Sequence, residues 1–362
     1  MNRIATIAIA AAAVAGIAGG TFAATAGLGT DDPEGASQGG PSTGTTKDVS
    51  ASPTPTATEG TDPVPLYLAG RTIVDGDAAV ALVGITVDNV RSLERVPGGW
   101  FVVTATSTQE PAFRGTFVAR DGTTTQVGRF FGQWDLDDAR DSVVARFGDY
   151  YQVRDVTTGE VTEELPTVKG ADGPLGDAAF SGNDVITSWR DADENQLVVG
   201  IDLATGRQWD VTGDSFFNYT TSADGSRLAG ERYRSQEVSG PTCLAGGPVE
   251  AFDEDGWETC DWATNGFQPQ FSPDGSQLLT VPYDTEGFGP TSFGILDAKT
   301  GRVRDELDVP ELVTDAVWAD DDTLYLHGYA DGDLTGGTIF ECSLTGDCTK
   351  IAASKQHIVL GT

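Results

Sequence analysis

The stretch FSPDGSQLLT, residues 271–280, decides how the chain is read. Pro273-Asp274-Gly275 is a turn signal, because proline presets φ, aspartate bonds the backbone two residues on, and glycine accepts a positive φ. A short apolar run, Leu278-Leu279-Thr280, leaves that turn as a strand. Three readings compete: an isolated turn, a metal-binding loop, or one copy of a repeat.

Comparison with the rest of the chain selects the repeat. Counterparts begin at Phe180 (FSGNDVITSW), Trp318 (WADDDTLYLHG), Trp134 (WDLDDARDSVVAR) and Thr221 (TSADGSRLAGE), with a looser one at Arg95 (RVPGGWFVVTA). Successive intervals are 39, 46, 41, 50 and 47 residues. A second motif follows: YYQVRDVTTGEV (150–161), VVGIDLATGRQW (198–209) and SFGILDAKTGRV (292–303), with divergent copies at 115–127 and 338–351. Each runs from an alternating strand through a Gly turn into another strand. A unit therefore holds two hairpins, or four strands, at the roughly 40–45-residue period of a propeller blade. The expected fold is all-β: a β-propeller of four-stranded antiparallel blades.

Residues 66–84 (LYLAGRTIVDGDAAVALVG) read as a further hairpin that lacks an inner half, and HIVLG (357–361) is a spare strand. Joining them completes one more blade from the two chain ends and removes an open sheet edge. Residues 64–362 then supply about 43 residues to each of seven blades, or about 50 to each of six. Seven is the first choice, and six with an added strand is the alternative.

FSPDGSQLLT followed by ILDAKTGRV resembles the repeat of TolB-type and WD40-like propeller proteins, although the WD dipeptide and Gly-His signature are missing. The resemblance implies a β-propeller, commonly a binding platform, and carries over no partner or reaction.

The ends and the charge bound the setting. After Arg3 the next charge is Asp31, and Ile4–Ala18 is an Ala-rich apolar run ahead of Ala24-Thr25-Ala26, an A-x-A cleavage signal. Residues 1–26 are expected to be a signal peptide, with an uncleaved membrane anchor as the alternative. Residues 27–63, rich in Gly, Ser, Thr and Pro, are expected to be a disordered linker. Residues 64–362 form the propeller domain, placed outside the cytoplasm, secreted or tethered. Cys243, Cys260, Cys342 and Cys348 form an even set, which in an exported chain favours two disulfides; pairing of sequence neighbours closes the shortest loops. A net charge of −33 argues against nucleic acid and membrane surfaces as partners, the possible anchor aside.

Catalytic constellations are sparse. The G-x-S-x-G nucleophile motif is missing, and GPTSFG (289–294) has the wrong spacing. His327 and His357 are the two histidines, and both fall in strands, where packing is the simpler reading. DGDLTGGTIFE (331–341) follows an EF-hand loop as far as Gly336 but carries Cys342 where the bidentate Glu belongs. The clusters 135–138 and 320–322 read as acidic turns, able at most to hold Ca²⁺ weakly, so no cofactor is expected. The longest departure from the repeat lies between Arg232 and Phe267, where Phe252, Trp257 and Trp262 are candidate anchors for a protein, peptide or glycan partner. Packing of those rings onto their own blade is the competing account. The sequence thus points to a monomeric, non-catalytic binding module at the cell envelope. The alternative is a metal-assisted hydrolase or lyase working in the central channel.

Overall fold

The computed structural model describes residues 64–362 apart from 107–111, 214, 234–241, 265–269, 284, 286–288, 291, 310–311 and 330–335. The expected signal (1–26), the linker (27–63) and residues 331–335 of the EF-hand-like stretch lie outside the described residues. Among the described residues no helix is long and apolar enough to cross a membrane.

The repeat motifs become hairpins for local reasons. In the Thr-Gly copies, Asp155, Asp202 and Asp297 each turn one carboxylate oxygen onto the next backbone N–H groups; Asp297 Oδ1 accepts from Lys299 at 3.1 Å and Thr300 at 2.9 Å. The turn closes on a glycine at positive φ: Gly159 (74°), Gly206 (69°) and Gly301 (64°). The opening motif is built alike. Asp274 Oδ1 accepts from Ser272 Oγ at 2.7 Å and from Ser276 N at 2.8 Å, while Gly275 sits at φ 73°. Ser222, Asp224 and Ser226 reproduce the arrangement.

These hairpins assemble into antiparallel sheets. The strand Ile358–Gly361 pairs with Leu66–Ala69, in register Leu66 with Gly361, so the two distant segments share one sheet with Thr72–Asp75 and Ala78–Ala81. The next sheet has seven strands, because the long strand Thr124–Leu136 ends one unit and opens the following one. Two four-stranded sheets follow, innermost strands Ala171–Ser181 and Phe216–Thr221. In the sheet after those, the innermost strand comes in two pieces, Trp262–Thr264 and Gln270–Phe271, which pair with the same neighbour, Gln277–Pro282. The last sheet is led by Leu312–Trp318. Counted with the shared strand used twice, the described strands make seven four-stranded units.

A single antiparallel sheet cannot bury both of its faces, so each unit uses its neighbours. The buried clusters fall between successive units. Leu66, Leu68 and Ile73 meet Leu93, Trp100 and Val102 across one junction. Leu279, Phe293 and Ile295 meet Val313, Leu324 and Leu326 across another. Val317, Tyr325 and Ile339 meet Ile358 and Leu360, so the last unit packs on the first and the ring closes. The Cys342–Cys348 disulfide joins the third and fourth strands of its unit, and Cys243–Cys260 ties the third strand of its unit to the residue that follows the fourth, each pairing neighbours in sequence.

Candidate functional site

The innermost strands surround the axis; the first two units are joined there by backbone bonds, Arg95 N to Thr362 O at 2.7 Å and Thr362 N to Leu93 O at 3.1 Å. Each strand described over its full length in the middle units breaks register with its neighbour: between Phe131 and Asp135, Pro174 and Ala178, and Phe217 and Thr220. Such bulges re-aim side chains and leave backbone N–H groups to be satisfied. Aspartates from adjacent units supply the acceptors. Asp135 Oδ2 accepts from Phe180 N at 3.0 Å, and Asp177 accepts from Gln133 N and from Asn218 N, both at 3.3 Å. Asp315 Oδ2 accepts from Leu360 N at 3.3 Å. At these junctions carboxylates take the place of backbone acceptors between units, and together they form a collar about the axis.

The collar opens into a cavity of about 1080 Å³, lined by innermost-strand residues of every unit, among them Glu94, Asp135, Phe180, Thr221, Phe271, Trp318 and Leu360. Burial is the first cause that pushes the Asp135 carboxyl up to about 7, with nearby Glu94 adding to it; the N–H donors of Phe180 and Leu136 and the charge of Arg140 partly offset it. Burial likewise carries Asp315 to about 6 and raises Asp177.

Nearer the mouth, Arg140 leaves an acidic turn at φ 57°, a left-handed conformation uncommon outside glycine. Its guanidinium reaches an adjacent unit to pair with Glu94 and bonds Thr362 Oγ1 at 3.1 Å. Glu94 also accepts from Ser92 at 2.6 Å and from Thr362. Arg95 pairs with Asp75 at 3.0 Å. Asp137 and Asp138 stand on the same wall and form no such ion pair among the described residues, and burial together with Asp224 raises Asp138. The site is therefore acidic after its internal pairs are formed, and Trp134, Trp318, Phe113 and Tyr325 give it aromatic surface.

The residues singled out in the sequence lie elsewhere. The enlarged loop of the fifth unit joins its third and fourth strands through a short helical turn, Phe252–Asp255. Phe252 is 3% exposed and lies tilted against Phe216, ring centres 4.8 Å apart, so it packs its own unit. Trp262, 9% exposed, occupies the space above Gly294. Trp257 lies over Gly301 and donates Nε1–H to Ala298 O at 3.0 Å, wedging its unit against the next. Phe252 and Trp262 are buried and Trp257 is half-buried, so all three rings pack against their own or a neighbouring unit. Cys243, Cys260 and Glu258 converge, but both sulfurs are committed to the disulfide and are not thiolate ligands.

His327 is buried against Thr314 Oγ1 (3.2 Å) and the carbonyl of Gly336 (3.3 Å), and burial lowers its pKa to about 4. It is a neutral packed imidazole. Asn218 of the Asn218-Tyr219-Thr220 sequon turns its side-chain oxygen to Gln133 inside the collar. Asp135 needs a correction too: it belongs to the innermost strand, and Asp137 is the residue that folds the turn, accepting from Asp141 N and Ser142 N at 3.0 Å. The cavity residues Trp134 and Trp318 had a sequence signal, their recurring anchor position, which packing alone accounted for.

The sequence matches no family model and no curated protein. Among solved structures it superposes on the tricorn protease with a TM-score of 0.52 and 15% identity, covering 83% of this chain and 34% of that one. A chain of the mitotic checkpoint complex gives a TM-score of 0.51 at 13% identity, covering 86% of this chain and 87% of that one. TolB from Acinetobacter baumannii aligns at 16% identity and a TM-score of 0.43, over 71% of this chain and 64% of its own. The chain is a β-propeller, and likeness at these identities extends to the fold alone.

Proposed function

We propose that this chain is an extracytoplasmic β-propeller acting as a non-catalytic binding module, and that it receives a positively charged protein segment at its axial cavity. The observation that carries this reading is the cavity itself: every unit contributes to it, and its carboxylates exceed its arginines. A cation entering it meets Asp138 and the Asp137 carboxylate, one oxygen of which folds the turn, beside the lining rings of Trp134 and Trp318, side chains that suit charge attraction and cation–π contact. The two disulfides support an oxidising compartment.

A channel-sited hydrolase would draw on Asp135 and Asp315, whose carboxyls titrate near neutrality. Their oxygens are spent on backbone N–H groups of their own and neighbouring strands, which favours the structural role. The test uses short Arg-containing and Glu-containing peptides as probes, followed by tryptophan fluorescence. Saturable quenching by the Arg peptide, abolished in an Asp137→Asn/Asp138→Asn variant and in Trp134→Phe/Trp318→Phe, is expected. Equal response to the Glu peptide, or an unchanged response in the carboxamide variant, would sink the cavity assignment.

A further inference from the structure

We propose that the sheet face on which Arg129 and Arg146 flank Phe131 and Arg114 stands opposite Arg129 is an anion site for a single phosphate group carried on a soluble ester or glycan chain. It is separate from the axial cavity and does not depend on that assignment.

The placement follows from the long strand Thr124–Leu136. Arg129 and Phe131 lie two residues apart and so share a face, while Phe130 between them is wholly buried on the other. Register sets Arg114 opposite Arg129, and Arg146 opposite Phe131. Arg114 and Arg129 are both exposed. Two like charges in direct cross-strand register are unfavourable. In a chain with 55 acidic residues against 22 basic ones, a carboxylate neighbour would be the common outcome. Yet among the described residues none of these arginines forms an ion pair with a carboxylate.

The group is also partly fixed in place. The guanidinium carbons of Arg129 and Arg146 lie 5.2 and 5.5 Å from the Phe131 ring centre. Arg146 gives Nε to Gly148 O at 2.9 Å and Nη1 to Leu175 O at 3.4 Å, which orients it without neutralising it. One carboxylate is satisfied by one guanidinium fork. A phosphate, with up to two charges and several terminal oxygens, can engage three. An extended anionic plane such as a membrane would bring the −33 body against like charge, so a discrete phosphate is the better fit.

The experiment titrates the full chain with sn-glycerol 3-phosphate and follows phosphorus NMR line broadening. Saturable binding near ~1 mM is expected, weakened about tenfold by Arg114→Gln or Arg129→Gln. Arg302→Gln, an exposed arginine on another unit, should leave it unchanged. Acetate at matched ionic strength should not compete, and phosphatidylglycerol vesicles should not sediment the protein. Lack of saturation, equal weakening by Arg302→Gln, competition by acetate, or vesicle binding lost with Arg129→Gln would each overturn the proposal.

Discussion

Replacing Asp135 by asparagine removes one titrating member of the collar while keeping its shape. The folded carboxyl titrates at about 7 against an ordinary value of 3.8. A raised carboxyl pKa means that the folded chain holds its proton more tightly than the unfolded chain. Stability is therefore lost as pH rises from the unfolded value to the folded one, and levels off above it. Across the whole window the loss is about 4 kcal/mol, and about 3 kcal/mol of it falls between about pH 5 and 8. Asparagine still offers one carbonyl oxygen to Phe180 N or Leu136 N but cannot satisfy both, a cost of about 1–2 kcal/mol at every pH. Urea unfolding of the two proteins over this range is the assay. The variant should be less stable than wild type at the acid end and should gain on it by about 3 kcal/mol toward pH 8. Parallel pH profiles for the two proteins would refute the reasoning, as would a wild type that gains on the variant with rising pH.

Gly206→Ala and Gly301→Ala test the repeat turn against the wedge: both sit at positive φ, but a Cβ on Gly206 meets open space while one on Gly301 lies 2.3 Å from the Trp257 ring. Thermal melts should show a loss of about 1 kcal/mol for the first and at least about 2 kcal/mol for the second. Arg114→Thr should raise stability by about 0.5 kcal/mol by ending the opposition to Arg129, so a drop in melting temperature would show that the arginine has a stabilising partner. Removing the Cys243–Cys260 link should cost about 3 kcal/mol and Cys342–Cys348 about 2 kcal/mol, following the 17- and 6-residue separations; denaturant midpoints of the paired Cys→Ala variants measure the order.

The turns were legible because their chemistry is local. Asp297 through Gly301 state a hairpin in five residues, and the structure bonds them as the sequence implies. The joining of 66–84 with 357–361 was legible for a different reason: a hairpin without an inner strand and a strand without a hairpin need each other. The collar was not legible. Asp135 stands two residues before the turn aspartate Asp137, and nothing nearby in sequence distinguishes an oxygen that bonds Phe180, 45 positions away, from one that folds a turn. The packing of Trp257 and Trp262 was hidden for a related reason. A break in the repeat marks extra residues, but not that these two rings fill the space at Gly301 and Gly294, where glycine leaves room for a ring.

Photo-crosslinking from the cavity mouth tests the central claim most directly. A benzophenone amino acid at Ala223, exposed beside the cavity, is compared with one at Val303, 42% exposed on an outer strand. If the axial cavity is the recognition site, irradiation of producing cells yields one discrete protein adduct from position 223, lost in the Asp137→Asn/Asp138→Asn background, and none from 303. An adduct from 303 with none from 223 would contradict the account and move recognition to the outer edge of the blades.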